Sequence, residues 1–152
     1  MDKKMVMFGT LVLIAIAIGG YGASQAFRRG TTAPEISVPA PQAQAMVVVL
    51  DSQNGSGQMG TATLTATNGK TQVVLKLTGG PEGVVQPAHI HTGTCASIGQ
   101  VVYPLTFPVD GESTTILDVP MTKLLGGLPL AINVHKSPQE AGIYYACGDI
   151  AR

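Results

Sequence analysis

The chain predicts an all-β fold, an antiparallel Greek-key β-sandwich or barrel, preceded by one N-terminal transmembrane or signal helix. Three observations carry that expectation. From Met46 onward, short runs that alternate aliphatic with Thr or other polar residues are broken by turn residues about every ten positions, with no long helical period. Ahead of them, Met5 to Ala26 contains no charged side chain, and a Pro- and Ala-rich stretch separates the two regions. The organisation read from this is residues 1–27 as membrane anchor or signal peptide, 28–45 as linker and 46–152 as the β-domain.

The apolar run "MVMFGTLVLIAIAIGGYGASQA" would span about 33 Å as a helix, at roughly 1.5 Å for each of about 22 residues, enough to cross a bilayer. Lys3 and Lys4 precede it and Arg28 and Arg29 follow it, so flanking charge alone does not orient it. The same run also reads as a cleaved secretory signal, with Ser24 and Ala26 as the small residues of a cleavage site. Either reading exports the remainder to an extracytoplasmic space, cell surface or periplasm, secreted or held to the membrane through its N-terminal segment. The linker "RRGTTAPEISVPAPQAQA" carries three prolines and should be extended.

Within the domain, "AMVVVLDS" is a first strand closed by the turn-rich "QNGSGQ". "GTATLTATNGKTQVVLKLTG" alternates on both sides of Asn68-Gly69, a two-residue hairpin signal. "GGPEGVVQP" leads into His89-Ile90-His91, after which Gly93 and Gly99 imply irregular backbone. "VVYPLTFPV", Val101 to Val109, is extended but carries Pro104 and Pro108, which suits an edge strand. Asp110-Gly111 turns the chain, "STTILDV" runs back, and "MTKLLGG" is a short helical turn stopped by glycines. "LAINVH" and "IYYACGDI" are the final strands, and about 105 residues suffice for a single core.

Formal net charge is zero and no basic patch with interleaved aromatics is present, which argues against nucleic-acid binding. The two cysteines, Cys95 and Cys147, read either as one disulfide formed in an oxidising compartment or as two separate buried thiols. As a disulfide, closing a loop of about 50 residues would stabilise the fold by about 4 kcal/mol on chain entropy.

Only three histidines occur, and two of them stand one residue apart. Side chains at i and i+2 of a strand leave the same face, so His89 and His91 aim into one volume, as a metal site requires and as a solvated strand face also permits. In "AINVHKS", His135 alternates with Asn133 and Ala131, so it too has a definable face. Three neutral imidazoles bind copper or zinc, with copper favoured by intrinsic affinity, and leave a coordination position open for solvent or a small ligand. Asp149, Glu140 or a backbone carbonyl are the candidates for orienting a ligand imidazole through its second nitrogen. Tyr144 and Tyr145 point to opposite faces, so that one is expected in the core and the other beside the metal pocket. Lys136 reads as a solvated strand-end lysine, and Met46, Met59 and Met121 as packing residues rather than thioether ligands.

"PAHIHTGTC", followed by "AINVH" and "YYACGDI", resembles the copper-binding half of the copper/zinc superoxide dismutase family: an H-x-H, a cysteine soon after it, a later Val-His, and an Ala-Cys-Gly near the C-terminus. It is also similar to the CHRD domains, which share an H-I-H-x-G and an N-V-H segment. The resemblance covers Met46 to Arg152. It implies that His89, His91 and His135 are copper ligands and that Cys95 and Cys147 form the intrasubunit disulfide of a superoxide dismutase-like domain. No histidine lies between His91 and His135, so the family's bridging histidine is missing and zinc is not expected at its usual second site. The arginine that guides superoxide in the family is replaced by Tyr144, which supplies no fixed positive charge. The activity implied is copper-dependent dismutation of superoxide, a small anion, slower or differently organised than in the family. The alternative is a non-catalytic CHRD-like metal-binding or interaction module.

Overall fold

The structure is a computed structural model and describes residues 45–151. The expected anchor or signal segment and nearly all of the expected linker lie outside the described residues. Eight strands and one short helix follow in order: β1 (Ala45–Ser52), β2 (Met59–Thr67), β3 (Lys70–Thr78), β4 (Ala88–Thr94), β5 (Ser97–Pro104), β6 (Glu112–Leu117), α1 (Met121–Gly126), β7 (Leu130–His135) and β8 (Tyr144–Ile150). Among the described residues no helix is long and apolar enough to cross a membrane.

The domain is all-β, as the alternation predicts. All pairings are antiparallel, in the order β5-β4-β7-β8-β1-β2-β3-β6. The sheet curls because β1 changes partner along its length. Ala45 to Leu50 pair with β2, whereas Asp51 and Ser52 pair with Cys147 and Ala146 of β8. One half is thus β1-β2-β3-β6 and the other β8-β7-β4-β5, the two meeting at the end of β1. On the far side Leu105 N–H donates to Ala88 O at 3.0 Å and Thr106 N–H to Thr115 Oγ1 at 2.7 Å, so the segment after β5 links both halves without a continuous ladder.

Alternation places one face of each strand in a shared core. In β3, Thr71, Val73, Leu75 and Leu77 are buried while Gln72, Val74 and Lys76 are not. Leu50, Leu64, Leu75, Ile90 and Ile132, from both halves, meet in one apolar cluster that α1 closes with Met121 and Leu124. Each fully buried Leu or Ile contributes about 1.5–3 kcal/mol over exposure. The predicted hairpin turn is present, with positive φ at Asn68 (46°) and Gly69 (74°), the backbone such a two-residue turn demands. β5 is an edge strand as its prolines suggest, but it ends at Pro104 rather than continuing to Val109.

Candidate metal centre

The site lies on β4 and β7, which pair side by side in the β8-β7-β4-β5 half. Register decides which residues share a face. His89 stands across from Asn133, His91 across from Ala131, and Ile90 across from Ile132. Since partners across a ladder project to the same side, His89, His91, Ala131, Asn133 and His135 form one face, while Ile90, Ile132 and Val134 point to the core. All six residues of β7 are buried, so this second face is covered as well.

Two irregularities set the imidazoles. Against β5, Ile90 faces Tyr103 but His91 faces Val101, with a second register shift before Gly93. The bulged backbone brings the Gly99 carbonyl to 3.1 Å from His91 Nδ1. Gly99 has to be a glycine there, because a Cβ would lie 2.3 Å from Thr92 Oγ1 and 2.9 Å from Thr92 O. Against β8, Val134 faces Ala146 but His135 faces Tyr144, and the His135 Nδ1–H donates to the Ala141 carbonyl in the loop before β8. The His135 peptide is held on both sides: its N–H donates to Pro87 O at 2.8 Å, and its carbonyl accepts from Gln86 Nε2 at 3.0 Å.

A carbonyl oxygen only accepts, so His91 and His135 each carry their proton on Nδ1 and present a lone pair on Nε2. His89 Nδ1 lies 3.1 Å from His135 Nε2, and one ligand atom from each of the three rings falls within 4.8 Å of the others. Nitrogens on one ion at about 2.0–2.1 Å cannot be more than about 4.2 Å apart. The His89–His135 pair satisfies this. His91 Nε2 is buried and without a hydrogen-bond partner, as a nitrogen reserved for a cation would be. The donor set therefore fits a metal ion bound by neutral imidazoles.

Electrostatics act in the same direction. Burial, then the neighbouring His135 and His91, push the His89 pKa below 6.5. Burial also lowers that of His135, with the Ala141 carbonyl opposing and His91 reinforcing the shift. Both rings are thus held neutral, the form that binds metal.

The other residues singled out in the sequence take defined places. Cys95 and Cys147 form a disulfide that ties the β4–β5 turn to β8. Backbone carbonyls, not Asp149 or Glu140, orient the His91 and His135 rings. Asp149 Oδ1 accepts from Cys95 N–H at 2.7 Å and so secures the disulfide-bearing turn. Glu140 pairs with Lys136 at 2.7 Å, and the hydrogen bond to Glu140 is the main cause raising the lysine pKa. Tyr144 flanks His135 edge-on, centroids 5.1 Å apart. Met121 packs in the core, Met46 lies against it and Met59 is exposed. Sequence reasoning did not mark Phe107, whose ring meets His89 edge-on at 5.8 Å, nor Gln86. Neither carries a local signal, since both reach the site from connecting segments.

Set against protein-family models, curated proteins and solved structures, the chain matches none.

Proposed function

We propose that the chain is an exported, membrane-tethered copper-binding domain of the superoxide dismutase-like and CHRD-like kind, with Greek-key connectivity and a metal held by His89, His91 and His135. The observation that carries the reading is the convergence of three imidazole nitrogens from two strands, with His91 and His135 turned toward the ion by backbone carbonyls. Copper is preferred over zinc because a nitrogen-only set follows the intrinsic affinity order and, among the described residues, no carboxylate or thiolate enters the cluster. Bound copper would supply a one-electron redox couple. The chain's part is to hold the rings neutral and oriented, and to leave one side reachable past the half-buried His89.

Between holding copper and dismutating superoxide, holding is the better supported. Phe107 and Tyr144 give aromatic flanks to His89 and His135, and the nearby Lys136 is already paired with Glu140. A cationic guide, the feature that accelerates anion encounter, is thus weak here. Dismutation is the second reading, favoured by the partial exposure of His89.

The test is uptake of cupric and cuprous ions by the purified, oxidised chain in competition with a chelator, beside the His89→Ala, His135→Ala double variant. Stoichiometric uptake by the native chain alone supports the proposal, and equal background uptake by both rejects it. A superoxide-consumption assay on the same two samples then separates the readings, since equal rates would exclude catalysis while leaving the metal site intact.

A further inference from the structure

Among the described residues, four buried side-chain polar atoms lack a hydrogen-bond partner: His91 Nε2, Asn133 Nδ2, Asn133 Oδ1 and Ser113 Oγ. Three of the four belong to the same strand face. Asn133 stands directly across from His89 in β4 and from Cys147 in β8, and two residues before His135 in β7. Cross-strand neighbours place their Cβ atoms about 5 Å apart, which puts the carboxamide beside the space between His89 and His135.

Asn133 is fully buried, and its neighbours in β7, Ala131, Ile132 and Val134, are apolar. Buried carboxamides normally find partners for both ends, and an apolar residue of the same shape can be nearly neutral for the fold. A polar group kept at such a position, against the preference of its strand, points to a ligand.

We propose that Asn133 is a binding residue of the metal site, its carboxamide forming a hydrogen bond to the small exogenous ligand at the coordination position that three imidazoles leave open. The proposal rests on the metal-binding reading above. A carboxamide offers one donor end and one acceptor end and no net charge. It selects small polar ligands, water or hydroxide at rest and compact anions in exchange, by hydrogen bonding rather than by a fixed positive charge. This supplies at close range a recognition that the ion-paired Lys136 does not supply from the rim.

Azide is a suitable probe, because it binds cupric ions and reports itself through a charge-transfer absorption. The full-length chain and its Asn133→Leu variant, which keeps the shape and removes both polar atoms, are loaded with cupric ion and titrated. Copper affinity should stay within about threefold while azide affinity falls about tenfold, the loss expected for one hydrogen bond. Unchanged azide affinity with copper uptake intact overturns the proposal and leaves the metal reading standing. No copper uptake by the native chain overturns both. Should the variant fail to fold, the native chain decides: it holds only three asparagines, so isotope labelling of that residue type gives a readable spectrum. In the zinc-loaded form the Asn133 side-chain amide resonances should move on adding azide while those of Asn68, in the β2–β3 turn, stay in place. Stationary Asn133 resonances overturn the proposal.

Discussion

His89 Nδ1 lies 3.1 Å from His135 Nε2, although 46 positions separate the two residues in the chain. The Ala141 carbonyl fixes the His135 proton on Nδ1, so the short contact is a hydrogen bond in which His89 Nδ1–H donates and His135 Nε2 accepts. A cation held by these two nitrogens would take the place of that proton, and the His89 proton would then move from Nδ1 to Nε2.

The metal-free fold should lose stability on acidification. His89 and His135 have folded-state pKa values below the 6.5 of an ordinary histidine, with burial the largest cause in each. Below that value the unfolded chain binds more protons than the folded one, so their stabilising contribution is complete above it and declines as pH falls toward the lowered values. Denaturant midpoints of the metal-free chain should therefore drop between about pH 7.5 and pH 5.5. The His89→Asn, His135→Asn variant should show a shallower drop, and an identical slope in both would contradict the assignment.

Gly99→Ala should weaken metal binding without unfolding the domain. The added methyl would meet Thr92 Oγ1 at 2.3 Å, forcing the β5 backbone away and carrying with it the carbonyl that holds His91 Nδ1. Loss of such an orienting partner costs metal affinity about 10- to 100-fold. Chelator competition measures it, with circular dichroism to show that the sheet persists.

How far the sequence foretells the site depends on whether each determinant is local. The paired imidazoles of His89 and His91 are legible because strand parity is a property of neighbouring residues, and the turn at Asn68-Gly69 because positive φ is a demand made on those two residues alone. The face shared by Asn133 and His135 follows from the same parity. What is not legible is which residue a ladder skips. The bulges that bring Gly99 to His91 and Tyr144 to His135 are settled between strands, and so is the covering of β7 on both faces. The run from Val101 to Val109 alternates like one strand, yet β5 ends at Pro104 and after a last bond from Leu105 to β4 the chain crosses toward β6.

Removing the disulfide should destabilise the domain and loosen the site together. The bridge closes a segment with a sequence separation of 52 and connects the turn after β4 to β8. Chain entropy assigns such a closure about 4 kcal/mol. Cys95→Ser, Cys147→Ser should therefore lower the unfolding free energy by about 2–4 kcal/mol, and copper affinity should fall as the β4–β5 bulge loses its anchor. Calorimetry and chelator competition on the same variant check both, and a lower midpoint with unchanged affinity would confine the disulfide to a structural part.

Gln58 and Gln86 should behave as one unit supporting His135. Their amides are fully buried and bond reciprocally, Gln58 Nε2 to Gln86 Oε1 at 2.7 Å and Gln86 Nε2 to Gln58 Oε1 at 2.9 Å, while Gln86 Nε2 also reaches the His135 carbonyl. Substituting Gln86 alone by Leu leaves a buried amide on Gln58 without its partner, which costs about 1–3 kcal/mol. Replacing both by Leu removes the orphan, so the double variant should be less destabilised than the sum of the singles, a coupling of about 1 kcal/mol or more in a denaturant cycle. Metal affinity separates the roles. Both Gln86→Leu and the double variant lose the bond to the His135 carbonyl, so both should bind copper more weakly than the native chain even where the double recovers stability. Full affinity in the double variant would mean that the Pro87 carbonyl alone suffices to hold His135 in place.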